Sequence, residues 1–174
     1  MPQDNFPPST LSDLARQCTA SVQREVGVQL DGLPETLPIL DHYVSVVAPE
    51  VGARADTLLV ALTGAYFGQV ACDAIDGLTW RAAGEIQRWC IAHRDIEFSF
   101  NPAGIALEVT SRQDAAGWNA HLAVATEDQD RAASSLQLLG PASKRDYYSF
   151  TVRFECIEQV LGRLGSNPDR PAYS

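Results

Sequence analysis

Lysine is nearly absent from this sequence, and acidic residues outnumber basic ones. Lys144 is the single lysine among 13 basic residues, and 22 acidic residues give a net charge of −9 over 174 residues. A protein that binds nucleic acid or an anionic membrane surface needs basic side chains for those contacts. The composition therefore argues against both partners, and an acidic surface favours a basic protein as the partner.

Long apolar runs are also missing. The longest uncharged stretch, residues 57–72, has 16 residues, whereas a membrane-spanning helix needs about 20. This stretch includes Thr63 and Gln69, so we expect it to form a buried helix. Residues 1–9 carry neither a basic start nor an apolar run. The sequence therefore predicts no secretion signal and a cytoplasmic location.

Cysteine is scarce, and no two cysteines form a C-x-x-C pair. Without a secretion signal we expect reduced, buried thiols at all four positions: Cys18, Cys72, Cys90 and Cys156. Cys90 and His93 are the only close Cys/His pair, but a structural zinc site usually needs four ligands. In a strand, residues three apart also lie on opposite faces. With no phosphate-binding or nucleophile motif present either, we predict no metal and no cofactor.

The length suits one domain. We expect a flexible arm over residues 1–9, a single domain over 10–165 and a flexible tail over 166–174. Apolar residues at helical spacing predict helices near 10–26, 35–47 and 53–75, and again near 126–140 and 150–164. Candidate strands cover residues 78–82, 87–92 and 119–125, although 87–92 is also compatible with a helix.

The strongest strand signal surrounds Pro102. Apolar and polar residues alternate over 96–101 and again over 105–110, which is typical of a hairpin with one solvent-facing side. The predicted fold is therefore α+β. N-terminal helices are followed by a small antiparallel sheet with a central hairpin, and two C-terminal helices pack on one face of the sheet.

Two glycines in the uncharged stretch need an explanation, because each glycine inside a helix costs about 1 kcal/mol relative to alanine. Gly64 and Gly68 are one turn apart. We expect them to form a shallow groove that lets another backbone approach closely. The alternatives are a small-molecule slot or a homodimer seam, which we do not favour.

The same region carries a resemblance. The run LTGAYFGQV, residues 62–70, is followed by GLTW at 77–80, and DYYSFTVRFE occupies 146–155. These segments resemble uncharacterised bacterial proteins in which a G-A-Y-x-G-E helix leads into a strand with Trp. The resemblance implies an architecture and no activity. Gln69 stands where that pattern tends to have Glu, so a charged role of that Glu would be absent here.

In the predicted hairpin, Glu97 lies opposite Glu108 on the solvent-facing side. Two carboxylates in this position could serve acid–base chemistry, a cation or an acidic binding patch. Alternatively, Arg94 and Arg112 neutralise them on an ordinary solvated face. If the strand over 119–125 neighbours the hairpin, His121 shares this surface.

Three aromatic residues form a second candidate site. Tyr147 and Tyr148 are adjacent near the start of the last helix, where one core and one surface residue is the ordinary arrangement. Exposed together with Trp118, they would make a protein-binding patch, because Tyr and Trp dominate interface hot spots.

We interpret the chain as a non-enzymatic, soluble protein-binding module, for example an immunity or inhibitor protein that neutralises a basic partner. The alternative is a small hydrolase that uses Glu97, Glu108 and His121. A deep concave pocket beside these residues would favour the enzyme, and a flat acidic sheet would favour the binding module.

Overall fold

A computed structural model describes residues 8–48 and 57–166. Its helices and strands follow in the order α1 (Pro8–Val26), α2 (Leu37–Val47), α3 (Thr57–Ala74), β1 (Leu78–Ala82), β2 (Cys90–His93), β3 (Phe98–Phe100), α4 (Pro102–Ser111), β4 (Ala123–Val124), α5 (Gln129–Gln137), α6 (Lys144–Tyr147) and α7 (Phe150–Gly165). The predicted α+β class and its general layout are confirmed, although a helix, α4, stands between β3 and β4. The predicted arm and tail lie outside the described residues, except that residues 8 and 9 belong to α1 and Ser166 follows the end of α7.

Helix α3 forms the centre of the core. It packs along α1 on one side and along α4 on another. Phe67, on α3, contacts the rings of both Phe100 and Phe150. Because other elements surround most of α3, the helix is apolar on nearly all of its faces.

One four-stranded antiparallel sheet with the order β1-β2-β3-β4 lies beside this core. Its register pairs Leu78 with His93 and Ile91 with Phe100, and β3 pairs with β4 at Phe98. The central hairpin is therefore β2–β3, formed by residues 90–100.

The predicted second strand of the hairpin, residues 105–110, is wrong, because these residues belong to α4. The side-chain oxygen of Asn101 caps this helix by accepting hydrogen bonds from the backbone N–H groups of Ala103 at 2.8 Å and Gly104 at 3.1 Å. Pro102 occupies the first turn, where its missing N–H leaves no bond unmade. Because α4 is buried on nearly every side, apolar residues occupy all of its faces and no helical period is visible. The alternation over 105–110 therefore did not indicate a strand.

The close backbone approach predicted at the glycines is confirmed at Gly64, whereas the neighbour of Gly68 is a side chain. A β-carbon at Gly64 would lie 2.9 Å from the Cα of Ala103, and one at Gly68 would lie 2.5 Å from the ring of Trp80. Both are nearer than real β-carbons come to a neighbouring atom. The glycines therefore let α4 and β1 pack on α3, and the chain itself covers this helix face.

Helix α3 is long and apolar enough to cross a membrane by length and composition alone. Within the structure, however, 61% of it is buried against other elements. This is the pattern of a core helix, which is consistent with a soluble protein.

Candidate functional site

A cleft of about 550 Å³ opens between strands β2 and β3 and the segment 114–123, which leads into β4. Cys90, Ser99 and Arg88 line it from the side of the sheet, and Asp114 and His121 line it from the opposite segment. A concave site that carries an imidazole and a carboxylate is the kind of feature that favours ligand binding over a flat surface.

Asp114 and His121 form a hydrogen-bonded pair at this wall. The Nε2 atom of His121 lies 3.0 Å from Oδ1 of Asp114. The side chains are 65% and 67% exposed, so both are accessible from solvent. A carboxylate in this position orients the imidazole.

Glu108 lies behind this pair. It projects from α4, its side chain is fully buried, and its Oε1 is 3.9 Å from Nε2 of His121. The backbone N–H of Ala115 donates to the same oxygen at 3.1 Å. The other oxygen, Oε2, forms an ion pair with Nη2 of Arg153 from α7. Glu108 is thus a buried carboxylate whose two oxygens are both held in place.

Tyr147 connects the two halves of this arrangement. Its hydroxyl is 3.4 Å from Nδ1 of His121, and the guanidinium carbon of Arg153 lies 4.0 Å from the centre of its ring. Burial raises the pKa of Tyr147, so the phenol stays protonated at neutral pH. Burial lowers the pKa of Arg153 to about 10, which still leaves the guanidinium charged at neutral pH.

Of the three residues predicted to share a surface, Glu108 and His121 lie close together and Glu97 lies apart from them. His121 approaches Glu108, although not through a shared sheet face. The predicted opposition of Glu97 and Glu108 is wrong, because Glu108 lies on a helix and is buried. Glu97 is exposed just before β3, so the two carboxylates form no common acidic surface.

The predicted aromatic residues are half-buried. The rings of Tyr147 and Tyr148 contact each other edge to face, with 5.3 Å between their centres. Trp118 packs partly against the core. The environment of Tyr147 is explained by Arg153 and His121 rather than by a flat aromatic patch.

Sequence reasoning missed two residues of this site, Asp114 and Arg153. Asp114 belongs to the segment after α4, for which no element was predicted. Arg153 lies three residues after Phe150 and four before Ile157, on the apolar side of α7, and this position was the signal available in the sequence. A basic residue beside core positions on an amphipathic helix needs a buried acidic partner, and Glu108 is that partner.

Cys90 and His93 lie on different sides of the sheet, as their spacing predicted. Cys90 lines the cleft, whereas His93 lines a separate groove. The four cysteines are all unpaired, but the predicted burial holds only for Cys18, because Cys72, Cys90 and Cys156 are half-buried. Burial raises the pKa of Cys90, which keeps its thiol protonated and weakly nucleophilic at neutral pH.

The separate groove has a volume of about 550 Å³ and lies between the end of α3, the start of β3 and α7. Its apolar lining includes Ile75 and Leu161, and three carboxylates line it as well. We call it the acidic groove, defined by Asp76, Asp95 and Glu158.

Among the described residues, Glu108, Asp114 and His121 are the one group of three metal-ligating side chains whose donor atoms lie together, all within 4.8 Å of one another. We call these three residues the cluster. It offers one nitrogen and two carboxylate groups. Such a set can orient and deprotonate a water molecule, or it can bind a divalent cation.

Comparison of the chain with protein-family models, curated proteins and solved structures gives no match.

Proposed function

We propose that the protein is a small hydrolase whose cluster activates water at the wall of the cleft. The observation that carries this proposal is the 3.0 Å hydrogen bond between Asp114 and His121, both of which line a concave site. A surface pair with a purely structural role does not have to line a cleft, whereas a catalytic pair does. The pocket also favours a small substrate over a flat protein interface.

The chemistry is the addition of water to an ester. A water molecule at this wall gives one proton to the cluster, and its oxygen attacks the carbonyl or phosphoryl centre. The bond to the leaving-group oxygen then breaks, and that oxygen takes up the proton that the cluster accepted.

The lining of the cleft indicates the class of substrate. Among the described residues that line the cleft, Arg88 is the permanently cationic side chain. Its contact with Glu85 is long, at 3.7 Å, and its side chain is 83% exposed. Arg88 is therefore available to a carboxylate or phosphate group of the substrate, and we propose a small anionic ester.

The test is hydrolysis of nitrophenyl esters of carboxylic and phosphoric acids, with and without a second anionic group. His121→Ala and Asp114→Asn should each lower kcat/KM by about 100-fold or more. Arg88→Gln should raise KM for the anionic esters only. His42→Ala, at an exposed position on α2, is the matched control and should be fully active. Equal activity of wild type and His121→Ala would overturn the proposal.

A second candidate function is the binding of a basic protein, and the acidic groove favours it. Ile75 and Leu161 can cover the aliphatic stem of a Lys or Arg side chain, while Asp76 and Glu158 meet its charged head. This matches the net charge of −9. An immunity or inhibitor protein would use such a groove.

We propose a cytoplasmic location both for the hydrolase and for the binding protein, because the four cysteines are unpaired.

Affinity capture followed by surface plasmon resonance tests this second function. Asp76→Asn combined with Glu158→Gln should slow association with the captured basic partner and flatten its salt dependence. Glu127→Gln combined with Asp130→Asn removes the same charge at another exposed surface and should have little effect. Equal association rates for both double variants would exclude the groove as the binding site.

A further inference from the structure

The three donor groups of the cluster have the composition of a metal site. One imidazole nitrogen and two carboxylates suit Zn²⁺ and similar ions, which take N and O ligands. We propose that Glu108, Asp114 and His121 bind a divalent transition-metal ion, with Zn²⁺ as the best fit. This inference rests on the same residues as the proposed function and names the group that activates the water.

The distances allow such an ion. Tetrahedral Zn²⁺ with bonds of about 2.0 Å places its ligand atoms about 3.3 Å apart. In the structure Nε2 of His121 lies 3.0 Å from Asp114 and 3.9 Å from Glu108. Small side-chain rotations are enough to bring the donor atoms to the distances that a bound ion requires. Asp114 and His121 are about two-thirds exposed and can make them, whereas the fully buried Glu108 is the fixed member.

Two of the three ligands, Glu108 and His121, are also supported from behind, as ligands of metal sites usually are. Arg153 and the backbone N–H of Ala115 hold the carboxylate of Glu108. The hydroxyl of Tyr147 lies beside Nδ1 of His121. A proton on Nδ1 that is donated to Tyr147 leaves the lone pair on Nε2, the nitrogen that faces the two carboxylates.

Three protein ligands leave one position of a tetrahedral ion open. Asp114 and His121 line the cleft, so the open position is accessible to water and substrate. A bound ion lowers the pKa of such a water molecule to about 7 and polarises the carbonyl or phosphoryl oxygen. Arg153 neutralises part of the negative charge of Glu108, which favours a borderline ion held by the imidazole over Ca²⁺ or Mg²⁺.

The experiment is titration calorimetry of the metal-stripped full chain with Zn²⁺, with Mg²⁺ as the comparison ion. Wild type should bind one Zn²⁺ and bind Mg²⁺ far more weakly. His121→Ala and Asp114→Asn should each weaken Zn²⁺ binding by more than about 10-fold, and Tyr147→Phe by up to about 10-fold. His42→Ala and Asp130→Asn, both at exposed positions, should bind as wild type does. Glu108→Gln is avoided because it disturbs a buried ion pair.

Zinc binding and hydrolysis are measured separately, so the two proposals fail separately. Zn²⁺ that binds to wild type and not to the His121 and Asp114 variants confirms the metal site, even if no ester is hydrolysed. Wild type that binds no Zn²⁺, or His121→Ala that binds it equally well, overturns the metal site. Hydrolysis that survives chelation in that case leaves the proposed function standing.

Discussion

The carboxylate of Asp41, in the middle of α2, caps the start of α7 through Thr151. It accepts hydrogen bonds from the Thr151 hydroxyl at 2.6 Å and from its backbone N–H at 3.1 Å. The backbone N–H of Phe150 donates to the second oxygen at 2.6 Å. A negative charge at a helix N-terminus satisfies orphan donors and interacts favourably with the helix dipole. One side chain thus fixes two helices that lie about 110 residues apart in the sequence.

We expect Asp41→Ala to lower the free energy of unfolding by about 2 kcal/mol, because it leaves these donors without their acceptor. Asp13→Ala, which removes an exposed carboxylate from α1, should change it by less than about 0.5 kcal/mol. Urea denaturation followed by circular dichroism gives both values. A midpoint for Asp41→Ala equal to that of the control would show that the cap is dispensable.

Gly64→Ala should destabilise the protein by about 1–3 kcal/mol, because the added methyl group meets the backbone of α4 at 2.9 Å. Gly162→Ala is the matched control, since it lies on α7 with no atom within 4 Å of a β-carbon. There the same change should stabilise by up to about 1 kcal/mol. Thermal unfolding of the two variants should therefore shift in opposite directions. A shift of the same sign would contradict the close α3–α4 contact.

Removal of either member of the Glu108–Arg153 ion pair should cost about 3–5 kcal/mol, because each leaves an uncompensated buried charge. Glu108→Gln and Arg153→Met are the single changes. The double variant should be destabilised by clearly less than the sum of the two, because neither charge then remains. A double-mutant cycle from denaturant unfolding measures this coupling. Additive effects would mean that the two side chains do not interact.

Cys18 should make the protein less stable in alkali. Burial raises the pKa of this thiol from 9.0 to about 12, so the folded state holds the proton more tightly than the unfolded chain. The stabilisation is complete below pH 9 and is lost as the pH rises from 9 towards 12, at up to about 1.4 kcal/mol per pH unit.

Cys18→Ala tests this by removing one titrating group. Its free energy of unfolding, measured between pH 8 and 10.5, should fall less steeply with pH than that of wild type. In native protein at pH 8, Cys18 should also resist a thiol reagent that labels all four cysteines after denaturation. Parallel pH profiles of variant and wild type would exclude Cys18 as the group responsible.

Local sequence signals were sufficient wherever an element has one buried and one exposed face. The apolar stripe of α7, from Phe150 to Leu164, is buried at every predicted position. The strand near Phe98 and the helix after Thr126 were predicted for the same reason. The spacing of the apolar residues in these elements follows directly from the period of the backbone, so it does not depend on the neighbouring elements.

Residues 105–110 show where such signals fail. A helix buried on all sides carries no amphipathic pattern, and alternating residue sizes then imitate a strand. The Asn101-Pro102 pair, a good helix cap followed by a first-turn proline, was the better local signal. The alternation over 105–110 nevertheless led to the prediction of a strand, although alternation is not diagnostic for a segment that is buried on all sides.

The sequence by itself determined the fold class, most of the helices, the net charge and the unpaired thiols, because these depend on composition and on contacts between near neighbours. The candidate site was decided by tertiary structure alone. Glu108, Asp114, His121 and Arg153 come from α4, from the segment after it and from α7. They meet because a buried glutamate requires a buried arginine, and the packing that satisfies this pair also positions the exposed histidine beside it.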